Sequence, residues 1–265
     1  MQFPLLLVVL QMLVFASGIS VTSSVRGKQQ LPPIPTPSSY NASVPFMSIT
    51  QHGYTLSGDR SSPNRMDFFI DPFCEESALG AWPTVLNLSN HYEKTAPGLL
   101  EIRVHLFPLA YTFGSFQTSQ AIVAVYKLSG LKDATFFKAL SHIWRNPPFG
   151  IFEYQDTFAN MSKPEMSQFL ADDLLPLFPS VSRTDFLREM NTQHLHFEET
   201  DLKASYWMTK SAWKYATTKG VFGTPTYFLN DVFIPEIGQS VHSQLAWQPS
   251  EWWQKQVLDP SIYRV

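Results

Sequence analysis

The stretch MDFFIDPFCEES, residues 66–77, decides how the rest of this 265-residue chain is read, and it holds the only cysteine, Cys74. Residues 66–71 form a short apolar and aromatic run of the length expected for a buried strand. Pro72 closes it, because proline has no N–H to give to a ladder. From Cys74 the spacing turns helical over residues 74–92: Ala78, Trp82, Val85 and Ser89 fall on one face, with Leu79 and Leu86 beside it. Pro83 lies inside this helix and is expected to kink it. Cys74 therefore stands at a helix start, directly after a strand.

A cysteine so placed is the remnant of a redox pair, a complete single-thiol site, or a buried sulfur without chemistry. With one cysteine in the chain no internal disulfide can form, so packing must supply the stability. A helix N-terminus favours the thiolate through its unsatisfied N–H groups and the macrodipole. Glu75 and Glu76 follow at once, and their charges oppose it. Ser77, one turn on, can hydrogen-bond a thiolate but cannot attack a mixed disulfide. Two-electron dithiol oxidation by this chain alone is excluded.

Residues 99–108 alternate apolar and polar through their centre, as a second strand does. Strand, helix, strand implies a parallel pair with a right-handed crossover. Residues 115–197 read as a mainly helical insertion, with separate helices expected near 114–128, 133–144, 163–175 and 183–190. A long helix is expected over 198–219, with Leu202, Tyr206, Trp213 and Ala216 on one face, acidic residues opening it, and Lys214 and Lys219 closing it. Gly220 stops it. GVFGTPTYFLNDVFIPE, residues 220–236, reads as a loop, a strand at 226–229, a turn at Asn230-Asp231 and a returning strand at 232–234. Residues 249–258 suit a final helix. The expected class is α/β, in the order βαβ, helical insertion, αββα, with a mixed central sheet.

Cys74 opening a helix after the first strand, Ser77 in its partner position, and the Gly223-Thr224-Pro225 turn entering a late strand together resemble the thioredoxin-like superfamily. Within it the chain is similar to the branch related to the bacterial disulfide oxidase DsbA, and in particular to secreted eukaryotic members with a C-x-x-S centre. The resemblance spans residues 66–258. It implies a cis peptide bond at Pro225 against the redox cysteine, with Thr224 presenting its backbone to a bound extended peptide. Glu75 departs from the proline common at that position in the family, so a less acidic thiol is expected than in the strong oxidases.

Residues 1–18, MQFPLLLVVLQMLVFASG, are uncharged, apolar and end in small residues, as a secretory signal peptide does, although the usual basic flank is missing. An uncleaved N-terminal anchor is the alternative. Acceptor sequons at Asn41, Asn87 and Asn160 fit a secreted or lumenal glycoprotein. Residues 19–64 read as a Pro/Ser-rich linker with one short strand near 47–50, leaving 65–260 as the compact domain. No stable membrane insertion is expected after signal cleavage.

The 21 Phe and 7 Trp supply the bulk of a packed core. A net charge of −3 and a pI near 6.1 give no basis for a nucleic-acid partner. His194 and His196 lack a third ligand at an informative spacing, so no metal is expected, and His105 and His142 read as residues of a strand and a helix. No cofactor is expected either, because phosphate-loop and dinucleotide glycine patterns are missing. Asp71 with Glu75 and Glu76 reads as a solvated helix start.

The expected activity is thiol–disulfide exchange, or mixed-disulfide capture, on client protein or peptide thiols. Cys74 is the nucleophile, Ser77 its partner, and Thr224 with Pro225 the client-binding turn. The alternative is a non-catalytic module that holds extended peptides at residues 224–226. Glutathione could serve as an external thiol; a glutathione-conjugating activity rests on fold analogy alone.

Overall fold

A computed structural model describes residues 52–145, 149–191 and 204–234. Five strands form one sheet: β1 (Tyr54–Ser57), β2 (Asn64–Ile70), β3 (Leu100–Leu106), β4 (Thr226–Leu229) and β5 (Val232–Phe233). Their spatial order is β1-β3-β2-β4-β5, with β2 and β3 parallel and every other neighbouring pair antiparallel. The sheet is mixed, as the βαβ and ββ halves require.

Side-chain alternation assigns the two faces. Met66, Phe68 and Ile70 of β2 and Ile102, Val104 and Leu106 of β3 enter one large core. That core also takes Trp82, Val85, Leu88 and Tyr92 of α1 (Trp82–Thr95). Each of these large side chains contributes roughly 1.5–3 kcal/mol by leaving water. The opposite face carries Phe69 and Phe228 in a smaller core with Ala216 and Val221. Asp67 and His105 are buried on that face 2.7 Å apart. Burial pushes the Asp67 carboxyl up, but His105 and Arg65 outweigh it and hold the group below the usual carboxylate range.

Between β3 and β4 come α2 (Ser115–Leu128), α3 (Asp133–Ile143), α4 (Phe149–Phe158), α5 (Lys163–Leu174), α6 (Arg183–Met190) and α7 (Ala204–Thr218). Five of these match the segments expected from sequence, whereas α4 had no counterpart there. A Ser162–Glu165 capping box opens α5, with Pro164 in its first turn. The hairpin turn is as read: Asn230 and Asp231 both have positive φ, 50° and 66°, which a two-residue type I′ turn demands.

Four expectations need correction. The linker does not run to residue 64, since β1 pairs antiparallel with β3 at the sheet edge. The helical run expected over residues 74–92 is continuous from Glu75, but it is not α-helical throughout. A π-helical turn, Glu76–Ala81, passes directly into α1, with Pro83, which has no N–H to donate, in the first turn after it. The wider turn shifts the phase of the preceding residues, and Leu79 faces solvent instead of the core. Finally, α7 buries Ser205, Thr209 and Ala216, while Trp213 is exposed. Small side chains let α7 pack closely on α2 and β3, and its aromatics stack at the flanks, Trp213 on Phe107 and Tyr206 against Phe116. The signal segment, the strand near 47–50, His194, His196 and the helix at 249–258 lie outside the described residues.

Candidate functional site

β2 ends at Ile70 and delivers the chain to a tight turn governed by Asp71. One carboxylate oxygen accepts from the Phe73 N–H and the Ser115 hydroxyl, both at 2.7 Å; the other accepts from the Leu109 N–H at 2.8 Å. Asp71 is fully buried, not part of a solvated helix start, because these three donors replace its water. Burial still prevails, and the carboxyl is pushed up to about 6.

The same turn is tied to the helical insertion. The Trp144 indole N–H donates to the Pro72 carbonyl at 2.7 Å, and the Gln155 amide to the Phe73 carbonyl at 3.3 Å. Gly114, at φ +80°, lets α2 begin beside Phe158 and Phe73. Sequence reading missed Ser115, Trp144 and Gln155 as supports.

Cys74 follows, 6% exposed. Its sulfur lies 3.2 Å from the Thr224 carbonyl oxygen and 3.3 Å from a Glu76 carboxylate oxygen, and it accepts weakly from the Ser77 N–H at 3.4 Å. One S–H proton faces two acceptors, so ionisation would set negative charge against both. Burial is the largest cause that pushes the thiol up, to about 11, and Glu76 adds to it. The hydroxyls of Ser77 and Thr224 bear on the sulfur and favour ionisation, although neither has a hydrogen-bond partner of regular geometry.

The Thr224–Pro225 peptide bond is cis, and Pro225 is buried. Thr226 closes the turn by donating its hydroxyl to the Gly223 carbonyl at 2.7 Å. The sequence-chosen residues Cys74, Ser77, Thr224 and Pro225 thus converge on one spot, where β2 and β4 run side by side. Beneath it Tyr227 stacks on Phe68 at 4.8 Å.

At the surface, Tyr111 is 80% exposed and Phe222 85% exposed, each on a loop that borders the site. The loop carrying Tyr111 also borders an apolar cavity of about 470 Å³ lined by Leu109, Phe113, Phe116, Met166 and Trp213, among others. His105 and His142 face Asp67 and Asp173 and have no contact with Cys74. Among the described residues, no cluster of His, Cys, Asp or Glu could hold a metal. Asn87 and Asn160 are both exposed; Asn41 lies outside the described residues.

No family model matches the chain, and no curated protein matches it by sequence. Solved structures do. A Pseudomonas syringae protein described as a protein-disulfide isomerase aligns with a TM-score of 0.54 at 15% identity, over 74% of this chain and 94% of that one. DsbA of Chlamydia trachomatis aligns with a TM-score of 0.51 at 15% identity, over 82% of this chain and 96% of that one. At this identity the likeness concerns the fold. The chain has the thioredoxin-like α/β fold of these proteins, with a helical insertion between its βαβ and ββ halves.

Proposed function

We propose that this chain is a secretory-pathway protein that captures clients through a single-cysteine C-x-x-S centre, by thiol–disulfide exchange. The observation that carries the reading is the sulfur of Cys74 set 3.2 Å from the carbonyl that precedes Pro225. A client segment held in extended form along this turn would bring its disulfide to the Cys74 sulfur.

The exchange balances without an added oxidant. Cys74 loses its proton and attacks one sulfur of a client disulfide; a mixed disulfide forms, the client bond breaks, and the leaving client thiolate takes up a proton. Ser77 cannot resolve the adduct. Release needs an external thiol, low-molecular-weight such as glutathione or borne by a protein, which attacks the mixed disulfide and expels Cys74.

A second reading, a binding module without thiol chemistry, is favoured by one observation: at rest the sulfur is buried, protonated and engaged with two acceptors. With the thiol pushed up to about 11, roughly one molecule in ten thousand is a thiolate at pH 7. Capture therefore depends on the client displacing Glu76 or the Thr224 contact. The deciding experiment is client capture by the wild type and by Cys74→Ala. Exchange requires that covalent adducts vanish in the variant, whereas undiminished capture by folded Cys74→Ala supports the binding module.

Secretion is supported by the apolar N-terminal segment and by the exposure of Asn87 and Asn160, which leaves both open to glycosylation. No helix among the described residues is long and apolar enough to cross a membrane.

A further inference from the structure

We propose that the mouth of the Cys74 site selects client segments in which a lysine or arginine lies next to the reacting cysteine. This rests on the exchange reading and adds a substrate class to it.

Carboxylates gather at the sulfur. Glu76 reaches the sulfur at 3.3 Å, the exposed Glu75 adjoins Cys74 in the chain, and the buried Asp71 holds the turn that leads to it. Tyr111 lies within electrostatic reach of Asp71 and Glu76; burial first, and then these neighbours, disfavour ionisation of its hydroxyl. Lys163 is the charged residue lining the neighbouring apolar cavity.

The rim adds the second half of a cation site. Tyr111 and Phe222 are both largely exposed, and Phe222 stands two residues before Thr224, whose carbonyl meets the sulfur. Aromatic faces take the apolar stem of a long basic side chain and attract its charged head, while carboxylates pair with that head. Ser77 adds a buried polar group beside the sulfur. Its hydroxyl is fully buried, bears on the sulfur and has no hydrogen-bond partner of regular geometry, so it can satisfy an atom brought to the sulfur.

Charge complementarity also bears on the sulfur's reactivity. A client cation drawn to Glu76 neutralises the carboxylate that opposes the thiolate, so the preferred client lowers the barrier to its own capture. An anionic segment does the opposite.

The test uses the full chain and three peptides of equal length, each with one cysteine activated as a 2-thiopyridyl disulfide. The flanking residues are lysine, serine or glutamate, and the rate of thiopyridone release is measured. At low salt the lysine peptide is expected to react about tenfold faster than the glutamate peptide, a ratio that shrinks as salt screens the field. In the Glu75→Gln/Glu76→Gln variant, with its fold checked by circular dichroism, the ratio should approach one. Tyr111→Ser should slow the lysine peptide about threefold. Equal rates for the three peptides, with a normal serine-peptide rate, overturn the selectivity and leave exchange intact. So does a ratio unchanged in the double variant. If no peptide forms an adduct with the folded chain, exchange itself fails and the selectivity falls with it.

Discussion

The sulfur of Cys74 and the carbonyl oxygen of Thr224, 150 positions apart in sequence, lie 3.2 Å from each other. The contact joins the βαβ half of the fold to its ββ half, and it offers the thiol proton one of its two acceptors. With the Glu76 carboxylate 3.3 Å away, the sulfur is locked in its neutral form until something intervenes.

Removing the Glu76 charge should loosen that lock. Glu76→Gln keeps the length of the side chain and one acceptor oxygen but no longer repels the thiolate. The rate of Cys74 alkylation in the folded protein is expected to rise about threefold at neutral pH, and the pH midpoint of the reaction to fall. An unchanged profile would mean that burial alone controls the thiol.

Asp71 gives a pH signature in stability. Its folded pKa, about 6, lies above the ordinary carboxyl value of 3.8. The favourable contribution from binding its proton is therefore complete below about 3.8 and is lost as pH rises through about 6. Asp67 has the opposite shift and acts below the ordinary carboxylate range, outside this window. Denaturant unfolding between about pH 4 and 7 should show a steeper loss of stability with rising pH in the wild type than in Asp71→Asn, in which Asp133, also raised by burial, keeps its own contribution.

Gly114 is a steric requirement. A Cβ there would meet a Phe158 ring carbon at 2.3 Å, in a backbone conformation of φ +80°. Gly114→Ala is expected to cost about 2–4 kcal/mol, from overpacking and left-handed strain together. Because Gly114 starts α2 at Ser115, which binds Asp71, the variant should also expose Cys74 to alkylating agents.

Ser77→Cys restores a resolving thiol one turn from Cys74. Mixed disulfides with a peptide client should then fail to accumulate, and an intramolecular disulfide should appear in mass spectra after client release. Adducts as persistent as those of the wild type would show that position 77 cannot reach the mixed disulfide.

Much of this architecture is legible because it is written in local pattern. The run at residues 66–71, Pro72 and the helical spacing after Cys74 place the thiol, and Asn230-Asp231 between two apolar segments places the hairpin. What escapes is set by distant partners. β1 has only four residues and becomes a strand by pairing with β3. The stripe Ser205, Thr209 and Ala216 looks polar or neutral, yet it is buried because α2 and β3 come close. Asp71 reads as a surface acid until Ser115 and the Leu109 N–H, 44 and 38 positions away, close around it. Trp144 and Gln155 likewise give no local sign that they hold the carbonyls of Pro72 and Phe73.

The central claim is that Cys74 captures a client sulfur while the protein is folded. It is tested most directly by incubating the full chain with a peptide disulfide across a urea series and quantifying the Cys74 adduct by mass spectrometry, alongside circular dichroism. The expected result is an adduct that forms in the absence of urea, is missing in Cys74→Ala, and accelerates with pH toward about 11. An adduct that appears only as the circular dichroism signal is lost would contradict the claim and make Cys74 a packing residue.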